Sequence, residues 1–308
     1  MNKKIVFMGT PSISGKILKS LYQNGYNIEV VYTQPPVPSY RGQKVNKSPV
    51  HLISETLNLP VRTPISLDNK DEINFLKSKD ISLGIVVAYG QILKKDFLDI
   101  SKYGWINIHY SLLPKFRGAA PIQRAIMENE NLTGISIMKM NESLDAGPIC
   151  NQYPIRIMEN ENSEDLSVRL SEIASKKILE NIDDIFEGKA VFKDQDHSKS
   201  SYAKKIKKEE GKINWEDSNE KIIGKINGLY PNPGGWFIHK GERFKILKAQ
   251  ISFNKDQPGK VLSSDLEISC GENSIKILEI QREGKKSQKI NEFILGSKIE
   301  KGINLFNV

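Results

Sequence analysis

Cysteine is scarce in this sequence. Cys150 and Cys270 are its only two, far apart and outside any Cys-x-x-Cys pair. That excludes a disulfide framework and a thiolate zinc site, and fits a reducing compartment such as the cytoplasm. Histidine is scarce too, with four in 308 residues, so no metal is expected. Long apolar runs are missing. None approaches the ~18 residues that a membrane helix needs, and no membrane partner is expected. Near the amino terminus "KKIVFMG" is basic and then apolar, but Thr10-Pro11 breaks it before it reaches the length of a secretory signal. No internal repeat or low-complexity tract is present. What remains is 38% hydrophobic and 27% charged, the composition of a chain that buries a core. Its length suits about two domains.

Hydrophobic patterning divides the chain. "KKIVFMG" (3–9), "IEVVYT" (28–33), "ISLGIVVAY" (81–89), 106–111 and "GISIMKM" (134–140) read as strands. Between them, 14–23, 49–58, 71–79 and 121–128 carry helical spacing, and 164–186 is one long amphipathic helix. Strands alternating with helices predict an α/β domain with a Rossmann-like, mostly parallel sheet over residues 1–188. After Gly188 the chain turns polar and charged, which predicts a linker or exposed extended segment over 189–206. Residues 207–308 hold one helix (218–229) and several short strands with glycine turns, the pattern of a small β-barrel. Residues 201–308 carry 20 Lys and Arg against 14 Asp and Glu, most of the chain's net charge of +8. Such an excess favours a polyanionic partner and equally serves as a solubilising surface.

Few motifs carry chemistry. "GTPSISGK" (9–16) follows a strand and opens a helix, but its glycines are one position too far apart for a phosphate loop, and Ile17 stands where Ser or Thr would hold magnesium. A glycine turn joining strand to helix accounts for it. His51, His197 and His239 lie among no other metal-type ligands, so surface or packing roles suffice for them. In "NIHYS", Asn107, His109 and Ser111 alternate with apolar Ile108 and Tyr110, which sends all three to one face of a strand. They stand at the carboxyl end of a strand, where α/β sheets bind ligands. Asp145 lies in a Gly-Pro loop after the strand ending at Met140, so two strand ends are expected to bring Asn107, His109 and Asp145 together. These types suit acyl transfer to an amine: Asn stabilises an oxyanion, His moves a proton or stabilises the same oxyanion, and Asp orients His. On spacing alone, a polar strand end beside a capped turn remains an equal alternative.

"NIHYSLLPKFRGAAPIQ" closely resembles the signature of the formyltransferases that use 10-formyltetrahydrofolate, Asn-x-His-x-Ser-Leu-Leu-Pro followed downstream by Leu-Asp-x-Gly. Here the second element is Leu144-Asp145-Ala146-Gly147. Further resembling stretches are "FMGTP" (7–11), "RGQK" (41–44), "VVAYGQIL" (86–93), "TGISIMKM" (133–140), "SYAKKIKKEEGKINW" (201–215), "YPNPGGW" (230–236) and "EIQREGKK" (279–286). With the added C-terminal region the resemblance is to the branch that formylates methionyl initiator tRNA.

The resemblance implies an oligonucleotide-binding (OB-like) C-terminal barrel and catalysis by Asn107, His109 and Asp145. It implies folate contacts from Ser111, Leu112, Leu113 and Pro114, and a pterin pocket along Val87, Ala88, Tyr89, Gly90, Gln91 and Ile92. Arg41 matches an arginine that reaches the acceptor end of the tRNA. Lys204, Lys205, Lys207 and Lys208 are expected on tRNA phosphates. The expected donor is 10-formyltetrahydrofolate, the partner initiator Met-tRNA, and the state a cytoplasmic monomer. One departure stands out: the family's Pro-Asp-Arg-Pro-Ala-Gly-Arg-Gly loop reads "PPVPSYRG" at 35–42. The rivals are a folate formyltransferase for a small amine such as glycinamide ribonucleotide, and a non-catalytic RNA-binding protein.

Overall fold

The computed structural model describes residues 3–38, 45–297 and 299–306. The chain divides into two compact units: Met1–Pro121 with Gly134–Ile155 and Ser167–Ala203, and Ile122–Thr133 with Arg156–Leu166 and Lys204–Val308. The chain thus leaves and re-enters each unit, an interleaving that linear boundaries at 188 and 207 do not express.

The first unit is built on β1 (Lys4–Gly9), α1 (Ser12–Gln23), β2 (Asn27–Tyr32), the short pair β3 (Val37–Pro38) and β4 (Val45–Asn46), and α2 (Pro49–Thr56). There follow β5 (Val61–Arg62), α3 (Lys70–Lys77), β6 (Leu83–Val87), α4 (Lys95–Leu98) and β7 (Trp105–His109), then, after α5 (Pro121–Met127), which belongs to the second unit from Ile122 onward, β8 (Leu132–Lys139), β9 (Ile149–Arg156) and most of α6 (Ser163–Phe186). The strands form one seven-stranded sheet in the order β5-β2-β1-β6-β7-β8-β9. From β5 to β7 all pairs are parallel. Every residue of β6 and β7 is buried, as expected of strands covered on both faces. Along α6, Leu170, Ala174, Ile178 and Ile182 recur every fourth residue and are fully buried, which fixes its inner face.

At the start of α1, Ser14 Oγ donates to the Val87 carbonyl at 2.7 Å. A Cβ on Gly9 would meet that same oxygen at 3.0 Å and Ser14 Cβ at 2.7 Å. The glycine turn at 9–11 therefore lets a strand and a helix pack closely. A polar cluster lies under β2: Tyr32 donates to Glu72 Oε2 at 2.8 Å, and Arg62 donates to both Glu72 oxygens at 2.7 Å. The Arg62 hydrogen bonds hold the Glu72 carboxyl below its ordinary range, because they favour the charged form.

β8 runs antiparallel to β7, pairing Ile106 with Lys139 and His109 with Ser136. Its carboxyl end therefore lies beside the start of β7, where the Met140 N–H donates to the Trp105 carbonyl at 2.7 Å. The picture of two strand ends converging is thus corrected: β7 ends at one side of the sheet and β8 at the other. The polar stretch after Gly188 is extended but not free of the body. Ile149 and Lys193 exchange both backbone hydrogen bonds, at 2.8 and 2.9 Å, and Gln195 and Ala203 are buried.

The second unit holds α7 (Asn219–Gly228), capped by Ser218, then β10 (Gly235–His239), β11 (Glu242–Ser252), β12 (Glu267–Ser269), β13 (Ser274–Arg282), β14 (Ser287–Lys289) and the one-turn α8 (Ile290–Phe293). The strands pair antiparallel in the order β10-β11-β13-β12, with β14 also on β13. Register shifts at 246–249 on β11 bend this sheet into an open half-barrel. Its concave side packs Ile222, Ile226, Phe237, Phe244, Ile275 and Ile277. An α/β unit with a mostly parallel sheet and a second, small barrel-like β unit is the architecture expected from the sequence.

Candidate active site

The site lies within the first unit. β7 presents Asn107 and His109, 8% and 6% exposed. Asn107 Nδ2 donates to Asp145 Oδ1 at 3.1 Å. Asp145 Oδ2 accepts the Gly118 N–H at 2.8 Å and stands 3.7 Å from His109 Nδ1. That separation exceeds a hydrogen bond but keeps the carboxylate beside the ring. His109 Nε2 lies 2.8 Å from the Phe116 carbonyl oxygen. A carbonyl only accepts, so Nε2 carries the proton and the neutral ring leaves Nδ1 basic. The Phe116 carbonyl, rather than Asp145, orients the ring.

Asp145 reaches this place by a loop that folds back along β8. Lys139 N–H donates to the Pro148 carbonyl at 2.9 Å, and a Cβ on Gly147 would fall 1.9 Å from the Lys139 oxygen. Only a residue without a side chain permits that approach. Asp145 itself takes a left-handed backbone, φ +48°.

The segment after β7 forms a tight turn. Ser111 is fully buried; its hydroxyl donates to the Lys115 carbonyl at 2.6 Å and its carbonyl accepts from Ser136 at 2.7 Å. The Leu113 N–H donates to Ser136 Oγ at 3.0 Å. Leu112 and Pro114 are half-buried. Leu113 and Pro114 line a cavity of about 320 Å³ with Ile149, Cys150, Gln152 and Gln195.

Beyond β6, Val87 and Tyr89 point inward while Ala88, Gly90 and Ile92 are exposed. Val86 of β6 pairs with Asn107 of β7, so this loop opens beside the site. The Tyr89 carbonyl accepts from Thr10 Oγ1 and Gln34 Nε2, both at 3.0 Å, and Gln91 Nε2 donates to the Pro64 carbonyl at 3.1 Å. Burial of the Tyr89 ring raises its hydroxyl pKa above the ordinary range, so the ring belongs to the core. What the loop offers a ligand is its peptide backbone at 88 and 90 and the Ile92 side chain, a set that fits a flat heterocycle with hydrogen-bonding edges.

Arg41 lies outside the described residues. In the second unit, Lys204, Lys205, Lys207 and Lys208 are all exposed. Lys208 also lines a groove of about 590 Å³ with Arg243, Lys245, Arg282 and Lys285, cations that sequence reasoning did not single out. Arg243 stacks on Trp236, 4.2 Å from the ring centroid.

Sequence reasoning also missed the groups that hold the site: the Phe116 carbonyl, the Gly118 amide and Gln195. Backbone groups leave no sequence signal, and a glutamine inside a polar stretch has no periodicity to betray it.

A family model described as "Formyl transferase" matches residues 3–182, and one described as "Formyl transferase, C-terminal domain" matches 205–298. The chain is 58% identical over 310 residues to the methionyl-tRNA formyltransferase of Pelagibacter ubique, covering 100% of both chains. It is 40% identical over 309 residues to that of Thermodesulfovibrio yellowstonii, again covering 100% of both. Among solved structures, HypX from Aquifex aeolicus in complex with tetrahydrofolic acid shares the fold at a TM-score of 0.67 and 15% identity. That match spans 98% of this chain and 51% of that one. On the full-length matches, the chain belongs to the methionyl-tRNA formyltransferase family.

Proposed function

We propose that this chain transfers the formyl group of 10-formyltetrahydrofolate to the α-amino group of methionine on initiator tRNA, giving N-formylmethionyl-tRNA in the cytoplasm. One observation carries the chemistry: Asn107, His109 and Asp145 converge in one nearly dry group, with Asp145 3.1 Å from Asn107 and 3.7 Å from His109.

In this reading the neutral amine attacks the formyl carbon directly. The new C–N bond forms as the carbonyl oxygen takes up charge. The Asn107 amide, with one N–H on Asp145, directs the other at that oxyanion. His109 Nδ1 accepts the ammonium proton, and Asp145 stabilises the resulting imidazolium. The proton then passes to the folate nitrogen as the old C–N bond breaks. No covalent enzyme intermediate is needed, because an amine is nucleophile enough. Orientation of the two substrates supplies much of the remaining acceleration.

In the same reading the folate lies against Leu112, Leu113 and Pro114, with Ser111 shaping the turn and its pterin along Val87–Ile92. Exposed Lys204, Lys205, Lys207 and Lys208 contact tRNA phosphates, joined by the Arg243 groove, and Arg41 serves the acceptor end.

The test is a formyl-transfer assay with 10-formyltetrahydrofolate, comparing Met-charged initiator tRNA with glycinamide ribonucleotide. Formylation of the tRNA substrate alone is expected. Transfer to the small amine alone overturns the substrate, and tRNA binding without transfer to either overturns the enzyme.

A further inference from the structure

Gln195 has no part in the reaction as proposed, yet it is 6% exposed and its hydrogen bonds converge on the site. Its Nε2 donates to the carbonyl oxygens of Asp145 and Gly147, at 3.0 and 2.8 Å. Its Oε1 accepts from Arg117 Nε and Nη2, at 3.1 and 2.7 Å. Carbonyls cannot donate and a guanidinium cannot accept, so the amide has only this orientation, and its full capacity is used.

We infer that Gln195 is a positioning residue for formyl transfer, fixing the Asp145 loop through its N–H groups and the Phe116–Gly118 turn through its oxygen. The inference rests on the role proposed above for Asp145. Both partners need holding. Asp145 has φ +48°, a backbone region that non-glycine residues disfavour. The neighbouring turn presents the Phe116 carbonyl to His109 and the Gly118 amide to Asp145. Arg117, between them, is 3% exposed. Among the described residues it forms no salt bridge with a carboxylate; Gln195 and His197 Nδ1, the latter at 3.1 Å, are its side-chain partners. The segment carrying Gln195 also binds the turn directly, through Ser201 O to Arg117 N at 2.8 Å and Ser201 Oγ to Phe116 N at 2.9 Å. One carboxamide thus sets the distance between two loops, each of which touches an imidazole or carboxylate of the site.

The chemistry of the partners supplies a discriminating variant. Gln195→Glu keeps the shape and gives Arg117 an ion pair, but turns two oxygens toward the carbonyls of Asp145 and Gly147. Steady-state kinetics of the full chain are measured for Q195E, for Asp145→Ala and for the double variant, with thermal midpoints alongside. Q195E is expected to lower kcat by ~10- to 100-fold, the cost of a small misplacement, with both substrate KM values within about threefold. On the Asp145→Ala background it is expected to cost nothing further, since the group it positions is gone. Wild-type kcat in Q195E overturns the inference, and so does a loss that persists in full on the Asp145→Ala background. Undiminished turnover in Asp145→Ala alone overturns the reading of Asp145 itself, which is a separate result. Should Q195E fail to fold, Gln195→Met, which removes the Arg117 contact as well, is expected to lower kcat in the same range with only part of its loss remaining on the Asp145→Ala background; wild-type kcat, or a loss that remains in full there, overturns the inference.

Discussion

Asn107 and Asp145, 38 residues apart in sequence, share a hydrogen bond of 3.1 Å between a strand and a folded-back loop. The bond uses one of the two N–H groups of the amide and one of the two carboxylate oxygens. The other oxygen is divided between the Gly118 amide and the neighbourhood of His109. A single carboxylate therefore fixes the Asn107 amide and stands beside the His109 ring.

Asn107→Ala, His109→Ala and Asp145→Ala are each expected to lower kcat by ~10² or more, the usual size of oxyanion and acid–base contributions. Because the three act as a unit, the double variant Asn107→Ala/Asp145→Ala should lose far less than the product of the single losses. Single-turnover rates with saturating substrates measure this. Wild-type-like rates in all three single variants sink the assignment.

The Glu72 cluster makes a prediction about pH and stability. Arg62 holds the folded-state pKa of Glu72 below its ordinary value. A depressed carboxyl contributes stability that is complete above the unfolded pKa, ~4.3, and is lost as pH falls through the folded value. Glu72→Gln should therefore lower the thermal midpoint near neutrality and flatten its decline below about pH 5. Melting curves of the two proteins from acid to neutral pH check this. A constant offset across that range excludes the linkage.

How much of this was legible in the sequence depends on whether a residue's partners lie along the chain or across the sheet. The near-continuous apolar run of β6 announces a buried parallel strand, and the alternation of Asn107, His109 and Ser111 announces a shared face. β9, by contrast, is half-exposed and alternates weakly, so no apolar run marked it. Two-residue β5 is too short to show a period. The direction of β8 was hidden because "GISIMKM" reads alike in either sense. Asp145 could be named from its residue type, but its route was fixed by a backbone approach at Gly147, and Gln195 by contacts with residues 48 and 78 positions away.

Binding of tRNA should be steeply salt-dependent. Lys208, Arg243, Lys245, Arg282 and Lys285 share one groove of the second unit, and neutralised phosphates release counterions. Burial lowers the Lys245 pKa, with Arg243 adding to the effect, and a phosphate nearby would oppose that shift by favouring the charged ammonium. Arg243→Ala and Lys208→Ala should each weaken tRNA binding and make the slope of log K against log salt shallower by roughly 1. Their activity at saturating tRNA should stay near wild type, because neither residue belongs to the site in the first unit. Titrations at several salt concentrations decide the matter, and unchanged slopes remove the groove from the tRNA path.

Gly147 is the most economical single test of how the site is assembled. It touches neither His109 nor Asn107 in any hydrogen bond, and a methyl group there adds no charge. Yet its Cβ would fall 1.9 Å from the Lys139 oxygen and 3.1 Å from the carbon of that carbonyl. Both belong to the backbone at the end of a buried strand, where nothing flexible can yield. The loop must then lift away, taking the Asp145 carboxylate from Asn107 and Gly118 and breaking the Gln195 contact with the Gly147 carbonyl. Gly147→Ala should cost about 1–3 kcal/mol of stability, as overpacking does. It should lower kcat by ~10², a loss of turnover in molecules that remain folded. Paired denaturation and rate measurements separate the two. If the variant loses stability yet turns over normally, the position of Asp145 is not what the reaction depends on.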